Sequence, residues 1–202
     1  VNQVQMKPEI GLTFAHALRT FLRQDPDVIM VGEIRDRDTA EIAIRAALTG
    51  HLVFSTLHTN DSAASINRLL DMGIEPFLVA SAVEGIVAQR LIRRLCPSCR
   101  KPLELDAAKI ELLRKEGFPV EELATHTVYE PAGCDLCRGS GFKGRTGIYE
   151  ILTVDDHIRP LIIDRSASSD IKREAMRHGL RTLRDDGWRK VLDGITTVEE
   201  IL

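Results

Sequence analysis

Aromatic residues are scarce, 4% of the chain with a single Trp, so the core has to be assembled from Leu, Ile, Val and Ala. Neither sign of charge dominates. Lys and Arg number 27 against 30 Asp and Glu, a net charge of −3, which excludes attachment to nucleic acid by bulk charge. Long hydrophobic runs are missing as well: the longest weakly charged stretch, residues 76–89, still contains Glu84 and is too short to span a bilayer. No charged-then-apolar leader opens the sequence, so no secretory signal is expected within these residues. There is no internal repeat and no low-complexity tract. What is present is an ordinary globular composition, 44% hydrophobic and 28% charged over 202 residues. That is enough for one large domain or two small ones, and it excludes a disordered or collagen-like chain.

The sequence opens on Val1 inside an extended-looking Val1-Asn2-Gln3-Val4-Gln5. Near its other end, Thr196 and Glu199 have the spacing of a capping box just before Leu202. A helix that starts and at once stops reads as a piece of a longer protein.

Between those ends the hydrophobic pattern alternates. Phe14, Leu18, Phe21 and Leu22 fall on one helical face, and Asp25-Pro26-Asp27 stops that helix. Val28-Ile29-Met30-Val31 is wholly apolar and predicts a strand buried on both faces, hence parallel. Asp38 with Glu41 opens the next helix and Gly50 closes it; Leu52-Val53-Phe54 reads as a second buried strand. A third helix is expected from about Asp61 to Met72 with Ile66, Leu69 and Leu70 inward, and a fourth from Phe77 to Leu91. This is α/β alternation with right-handed crossovers. After Arg94 the texture changes to a polar segment with a short helix near Ala107 to Lys115, then a strand at Ile148-Tyr149-Glu150-Ile151-Leu152. Two helices follow, one capped by Ser169 or Asp170 and ending at Gly179, the other ending at Gly194.

All four cysteines sit in two CxxC pairs, Cys96/Cys99 and Cys134/Cys137. Two residues between thiolates let both sulfurs of a knuckle reach one ion, and four thiolates fill a tetrahedral zinc shell with no open position, which makes the role structural. The alternative is two free or disulfide-bonded pairs. The 34 residues between Cys99 and Cys134 exceed the ~15–20 common in zinc ribbons, so this insert is expected to loop out.

Gly139-Ser140-Gly141-Phe142-Lys143-Gly144-Arg145-Thr146 nearly fits a phosphate-binding loop, but a cysteine knuckle precedes it and a strand follows. A phosphate loop needs a strand before it and a helix N-terminus after it, so this segment reads as a turn. The first strand is different: Gly32-Glu33 lies at its carboxyl end, where ligands of open α/β sheets bind. There Glu33 could orient water for attack on a γ-phosphate or reach Mg²⁺ through water, with Gly32 standing where a magnesium-binding Asp is usual. The competing account is a solvated surface glutamate. Just past the second strand, Ser55, Thr56 and His58 bring hydroxyls and an imidazole to a similar place. For His58 and His51 helix capping or a satisfied loop role is the alternative.

Several segments together resemble the traffic ATPases of type II secretion and type IV pilus assembly. They are Ile10-Gly11-Leu12-Thr13-Phe14, Leu22-Arg23-Gln24-Asp25-Pro26-Asp27, Val31-Gly32-Glu33-Ile34-Arg35-Asp36 and the stretch from Gly50-His51 through Ser55-Thr56-Leu57-His58-Thr59-Asn60-Asp61. The third is similar to the family's atypical Walker B box and the last to its His box. The paired CxxC with Gly144-Arg145-Thr146-Gly147-Ile148-Tyr149-Glu150 is similar to the metal-binding subdomain of secretion and pilus-extension members, which retraction-type members usually lack. Leu183-Arg184-Asp185-Asp186-Gly187-Trp188-Arg189-Lys190 leans to the type II secretion branch.

The resemblance covers the whole chain. It implies the second half of a RecA-like ATPase domain over residues 1–94, a zinc-binding subdomain over 95–150, and a small C-terminal helical domain over 151–202. It further implies catalytic roles for Glu33 and His58, with Ser55, Thr56 and His51 at the nucleotide, and ATP, Mg²⁺ and structural Zn²⁺ as cofactors. The enzyme implied is a cytoplasmic homo-hexamer docked to inner-membrane platform proteins, with acidic lipid as a further contact. The family's P-loop, Asp box and usual arginine fingers would lie upstream of Val1. The 202 residues alone are therefore expected to bind ATP poorly and not to turn it over. Arg35 and Arg90 are candidates for an arginine reaching a neighbour's phosphate. Two non-enzymatic readings stand beside this one. Arg90, Arg93, Arg94, Arg100 and Lys101 crowd the first knuckle as in a nucleic-acid-binding ribbon, though no aromatics interleave them. Alternatively, the zinc and helical parts form a docking module.

Overall fold

The computed structural model describes residues 2–202; Val1 lies outside them. Its elements run α1 (Phe14–Phe21), β1 (Val28–Val31), α2 (Arg37–Leu48), β2 (Leu52–Ser55), α3 (Ser62–Asp71), α4 (Pro76–Ala82), β3 (Gly85–Leu95), β4 (Lys101–Pro102), α5 (Ala107–Lys115), β5 (Tyr129–Glu130), β6 (Phe142–Thr153), α6 (Arg159–Ile163), α7 (Ser168–Arg177) and α8 (Leu183–Leu192). They form two compact units, and each is built from two stretches of chain: residues 1–86 with 151–180, and 87–150 with 181–202. The family resemblance implies three consecutive segments instead. The difference follows from where the last helices bury their apolar faces: α6 and α7 contribute Ile162, Ile171 and Ala175 to the first unit's core, whereas α8 contributes Trp188, Val191 and Leu192 to the second's.

The first unit is a βαβ arrangement with helices. β1 and β2 pair in parallel, Val28 opposite Leu52 through Val31 opposite Ser55. α2 makes the crossover, and Asp36 caps it by accepting the Thr39 N–H at 2.8 Å. The cap is thus two residues earlier than expected. α3 is capped by Asp61, whose carboxylate accepts the Ala64 N–H at 2.9 Å. Ile66 on α3, Ile74, Val79 on α4, Ile162 on α6 and Ile171 on α7 are at most 2% exposed and form the centre of the core, each worth about 1.5–3 kcal/mol of burial.

Three expectations change here. The strands are not covered on both faces: Ile29 and Val31 are buried, while Val28, Met30, Leu52 and Phe54 share an exposed apolar face. An all-apolar run records no alternation, so it cannot tell which face this chain's own helices cover. The helix expected from Phe77 to Leu91 ends at Ala82, and Gly85–Leu95 is strand β3, in keeping with Val83, Ile86, Val87 and Ile92, which favour extended backbone. α7 is preceded by Ala167 with no side-chain cap, so neither Ser169 nor Asp170 plays that part.

In the second unit β3 pairs with β6, and β4 pairs antiparallel with β5. β6 starts at Phe142, so the segment expected as a turn is one only through Gly141. Leu113 of α5, Phe118, Val128 and Val198 gather around Trp188, whose ring meets Phe118 edge-on at 5.3 Å. α8 opens on a capping box of Thr182 and Asp185. The capping box expected at Thr196 does not form, because the Thr196 hydroxyl donates to the Arg93 carbonyl at 2.8 Å. No described helix is long and apolar enough to cross a membrane.

Trp188 is 2% exposed and central to the second core. Replacing it with Ala should destabilise that unit by about 3–5 kcal/mol, read as a shifted urea midpoint by far-ultraviolet circular dichroism. An unchanged midpoint would show that the packing around α8 contributes little.

Candidate functional site

The ladder between β1 and β2 continues past the strands. The Ile34 N–H donates to the Thr56 carbonyl at 3.0 Å, and the Thr56 hydroxyl donates to the Gly32 carbonyl at 2.7 Å. Gly32 and Thr56 are thereby tied side by side at the carboxyl rim of the sheet, and the residues that follow them project from it. His58 Nε2 donates to Glu33 Oε2 at 3.1 Å. The same oxygen accepts from Arg35 Nε at 2.7 Å. Glu33 is a quarter exposed, His58 and Arg35 much more so.

Of the residues singled out by sequence, Glu33, Thr56 and His58 are brought together. Ser55, paired with Val31, ends β2 just before them, and its side chain is exposed. His51 is not part of this group. It lies at the opposite end of β2, its ring on the Ala46 carbonyl at 3.0 Å and Thr49 Oγ1 at 3.1 Å, which is the capping role weighed for it. Asp36 is likewise engaged elsewhere, as the α2 cap.

From sequence, Arg35 is a candidate to reach a neighbouring subunit's phosphate. In the structure it holds Glu33 of its own chain, a pairing hinted at by opposite charges two residues apart in the loop after a strand. The Arg35 hydrogen bond, and after it that of His58, holds the Glu33 carboxyl below its ordinary value of 4.5. A carboxyl lowered in this way stays ionised further into acid. The pairing is intact at neutral pH and is lost as pH falls through the lowered value.

The four cysteines converge in the second unit. Sγ–Sγ separations are 3.9 Å for Cys96 and Cys134, 3.8 Å for Cys99 and Cys137, and 3.8 Å for Cys134 and Cys137. All four are free thiols, so neither CxxC pair is closed as a disulfide. A tetrahedral ion with bonds of about 2.3 Å sets its sulfurs about 3.8 Å apart, so the cluster fits one. Backbone amides point at the sulfurs: the N–H groups of Cys134 and Gly141 donate to Cys137 Sγ at 3.1 and 3.2 Å. Burial pushes the Cys137 thiol up, but those two amides and the neighbouring thiols outweigh it and leave it at about 6. Cys99 goes the other way, to about 12, through burial. The knuckle needs glycine at 133, where φ is +94° and a Cβ would meet the Gly139 carbonyl oxygen at 2.7 Å.

The sequence profile described as "Type II/IV secretion system protein" matches residues 1–202. The chain belongs to this family. Over its whole length it is 52% identical to the type IV pilus assembly ATPase PilB of Myxococcus xanthus and to the type II secretion system protein E of Pseudomonas aeruginosa, and it covers 35% and 39% of those proteins. It therefore spans little more than a third of these curated relatives. Among solved structures, the pilus retraction motor PilT with bound ADP aligns over 94% of this chain and 43% of its own, with TM-score 0.63 and 28% identity. The ATPase DotB of Legionella pneumophila aligns with TM-score 0.62 over 94% of this chain and 41% of its own; at 22% identity it supports the α/β fold alone.

Removing the arginine tests the electrostatics of the rim. In Arg35→Ala the Glu33 carboxyl should rise toward 4.5, measured by following its side-chain ¹³C shift through an NMR pH titration. No rise would assign the lowering to some group other than Arg35.

Proposed function

We propose that this chain is part of the ATP-hydrolysing motor of type II secretion, which powers pseudopilus assembly and protein export across the outer membrane. The observation that carries the reading is the convergence of Glu33, His58 and Thr56 at the carboxyl rim of a parallel sheet, in a family whose relatives are named ATPases. The pilus-extension ATPase is the second reading. It is favoured by the equal identity to PilB, as the first is favoured by the Leu183-to-Lys190 stretch.

ATP is the substrate in this account. Glu33 orients the attacking water toward the γ-phosphorus, and His58 steadies the carboxylate and can donate to phosphate. Thr56 is fixed by its own hydrogen bond to Gly32 and lines the rim together with Ser55. The donors here are oxygens, which suit Mg²⁺. Gly32 offers it no side chain, so Glu33 would reach the ion only through water. His51 takes no part, given its bonds to α2. Cys96, Cys99, Cys134 and Cys137 would hold one structural Zn²⁺, which ties two knuckles 34 residues apart in sequence and leaves no position for catalysis. Because the chain is a little over a third of its relatives' length, turnover belongs to the full-length protein. In this reading that protein is a cytoplasmic homo-hexamer docked on inner-membrane platform proteins, with acidic lipid as a further contact.

In the full-length protein, Glu33→Gln should still bind ATP while steady-state phosphate release falls about a hundredfold or more. Unchanged release would remove Glu33 from the chemistry. For the cysteines, Cys134→Ser should lower zinc content from one ion per chain to a small fraction of that and lower the melting temperature, as read by metal analysis and calorimetry. Full zinc retention would show that the four thiols are not the ligands.

A further inference from the structure

Among the described residues, one other group of metal-ligating side chains converges, and it belongs to the first unit. His157, in the turn before α6, and Glu174 and His178, at the end of α7, each bring one donor atom within 4.8 Å of the other two. Glu174 and His178 are four residues apart and so share a helix face; His178 Nε2 lies 3.1 Å from Glu174 Oε1. The two imidazoles stack, with centroids 3.7 Å apart and planes inclined by 13°. Asp155 fixes the turn that presents His157, its Oδ1 accepting the N–H groups of His157 and Ile158 at 3.0 and 3.1 Å.

The donor set decides the class of ion. Two imidazole nitrogens and one carboxylate oxygen suit Zn²⁺, Ni²⁺ or Cu²⁺, whereas Mg²⁺ and Ca²⁺ want oxygens throughout. Bonds of about 2.0–2.1 Å require neighbouring donors roughly 3 Å apart, and the Glu174–His178 pair already has that spacing. Coordination requires the His157 ring to leave the stack, and its exposure in a turn leaves its side-chain torsions free to turn. Both histidines are exposed, so water can reach the remaining coordination positions. One group opposes the ion: Arg177 donates to Glu174 Oε2 at 2.9 Å. It leaves Oε1 for coordination, and its charge keeps the affinity modest.

We propose that His157, Glu174 and His178 form a transition-metal site, completed by water, that clips the turn before α6 to the end of α7. It shares no residue with the four-cysteine cluster.

The full-length protein, with its cysteine cluster loaded with zinc, would be titrated with NiCl₂ by calorimetry and with Cu²⁺ by electron paramagnetic resonance. One further equivalent in the micromolar range is expected, with nitrogen couplings in the Cu²⁺ spectrum. His157→Ala or His178→Ala should weaken it tenfold or more, and Glu174→Gln severalfold. Both histidines are exposed, so these variants should melt like the parent without added metal, and the parent alone should gain a few degrees with Ni²⁺. Absence of any equivalent beyond the cysteine cluster would overturn the site. So would an equivalent that persists unchanged in the double histidine variant.

Discussion

Parallel pairing of two four-residue strands is the constraint from which the rim follows. The strands are joined through α2, whose twelve residues span about 18 Å and return the chain so that the Leu52 N–H meets the Asp27 carbonyl at 3.0 Å. From that first bond the register is set, and it delivers Gly32 opposite Thr56 at the far end. A slip of one residue would exchange the faces of β2 and carry its side chains away from Glu33. The apolar content of β1 and the length of the crossover therefore act on chemistry at a distance, by deciding which side chains emerge together.

Much of this arrangement is legible in sequence, and the parts that are not share a cause. Glu33 and His58 could be placed because each follows an apolar run, and strand ends are where parallel sheets present side chains. His51 carries the same residue type but precedes its run, so direction along the strand separates a rim residue from a helix cap. Arg35 escaped because sequence shows its charge but not its target. Exposed Val28, Met30, Leu52 and Phe54 escaped because apolar residues read as buried whichever face they occupy. The end of α4 was misplaced for a related reason: in residues 83–95 β-branched and apolar positions satisfy a helical and an extended pattern equally, and short apolar runs do not distinguish the two.

The cysteine spacing predicts that the four thiols meet, as they do, but the unit around them could not be read as a contiguous segment. α7 and α8 are both amphipathic, and their sequences say that each buries a face without saying where. Ile171 and Ala175 lie in one core, Trp188 and Val191 in the other. The polar insert would be poor at forming a core alone. It gains one by recruiting α8 from nearly fifty residues further along, and the edge-on contact of Phe118 with Trp188 is where that recruitment is concentrated. The scarcity of aromatics thus has a structural counterpart, since the single Trp goes to the unit with the least apolar material of its own.

The double hydrogen bond on Glu33 Oε2 also bears on how that carboxylate would act. A base that takes a proton from water gains from being basic, whereas a group that orients water and stabilises positive character gains from staying ionised. Arg35 and His58 both favour the ionised form, so they weaken Glu33 as a proton acceptor by the same free energy with which they hold it in place. With the pair intact, Glu33 is suited to positioning water with its remaining oxygen, and proton acceptance by Glu33 would require Arg35 to let go. Arg35 is largely exposed, so that release costs little.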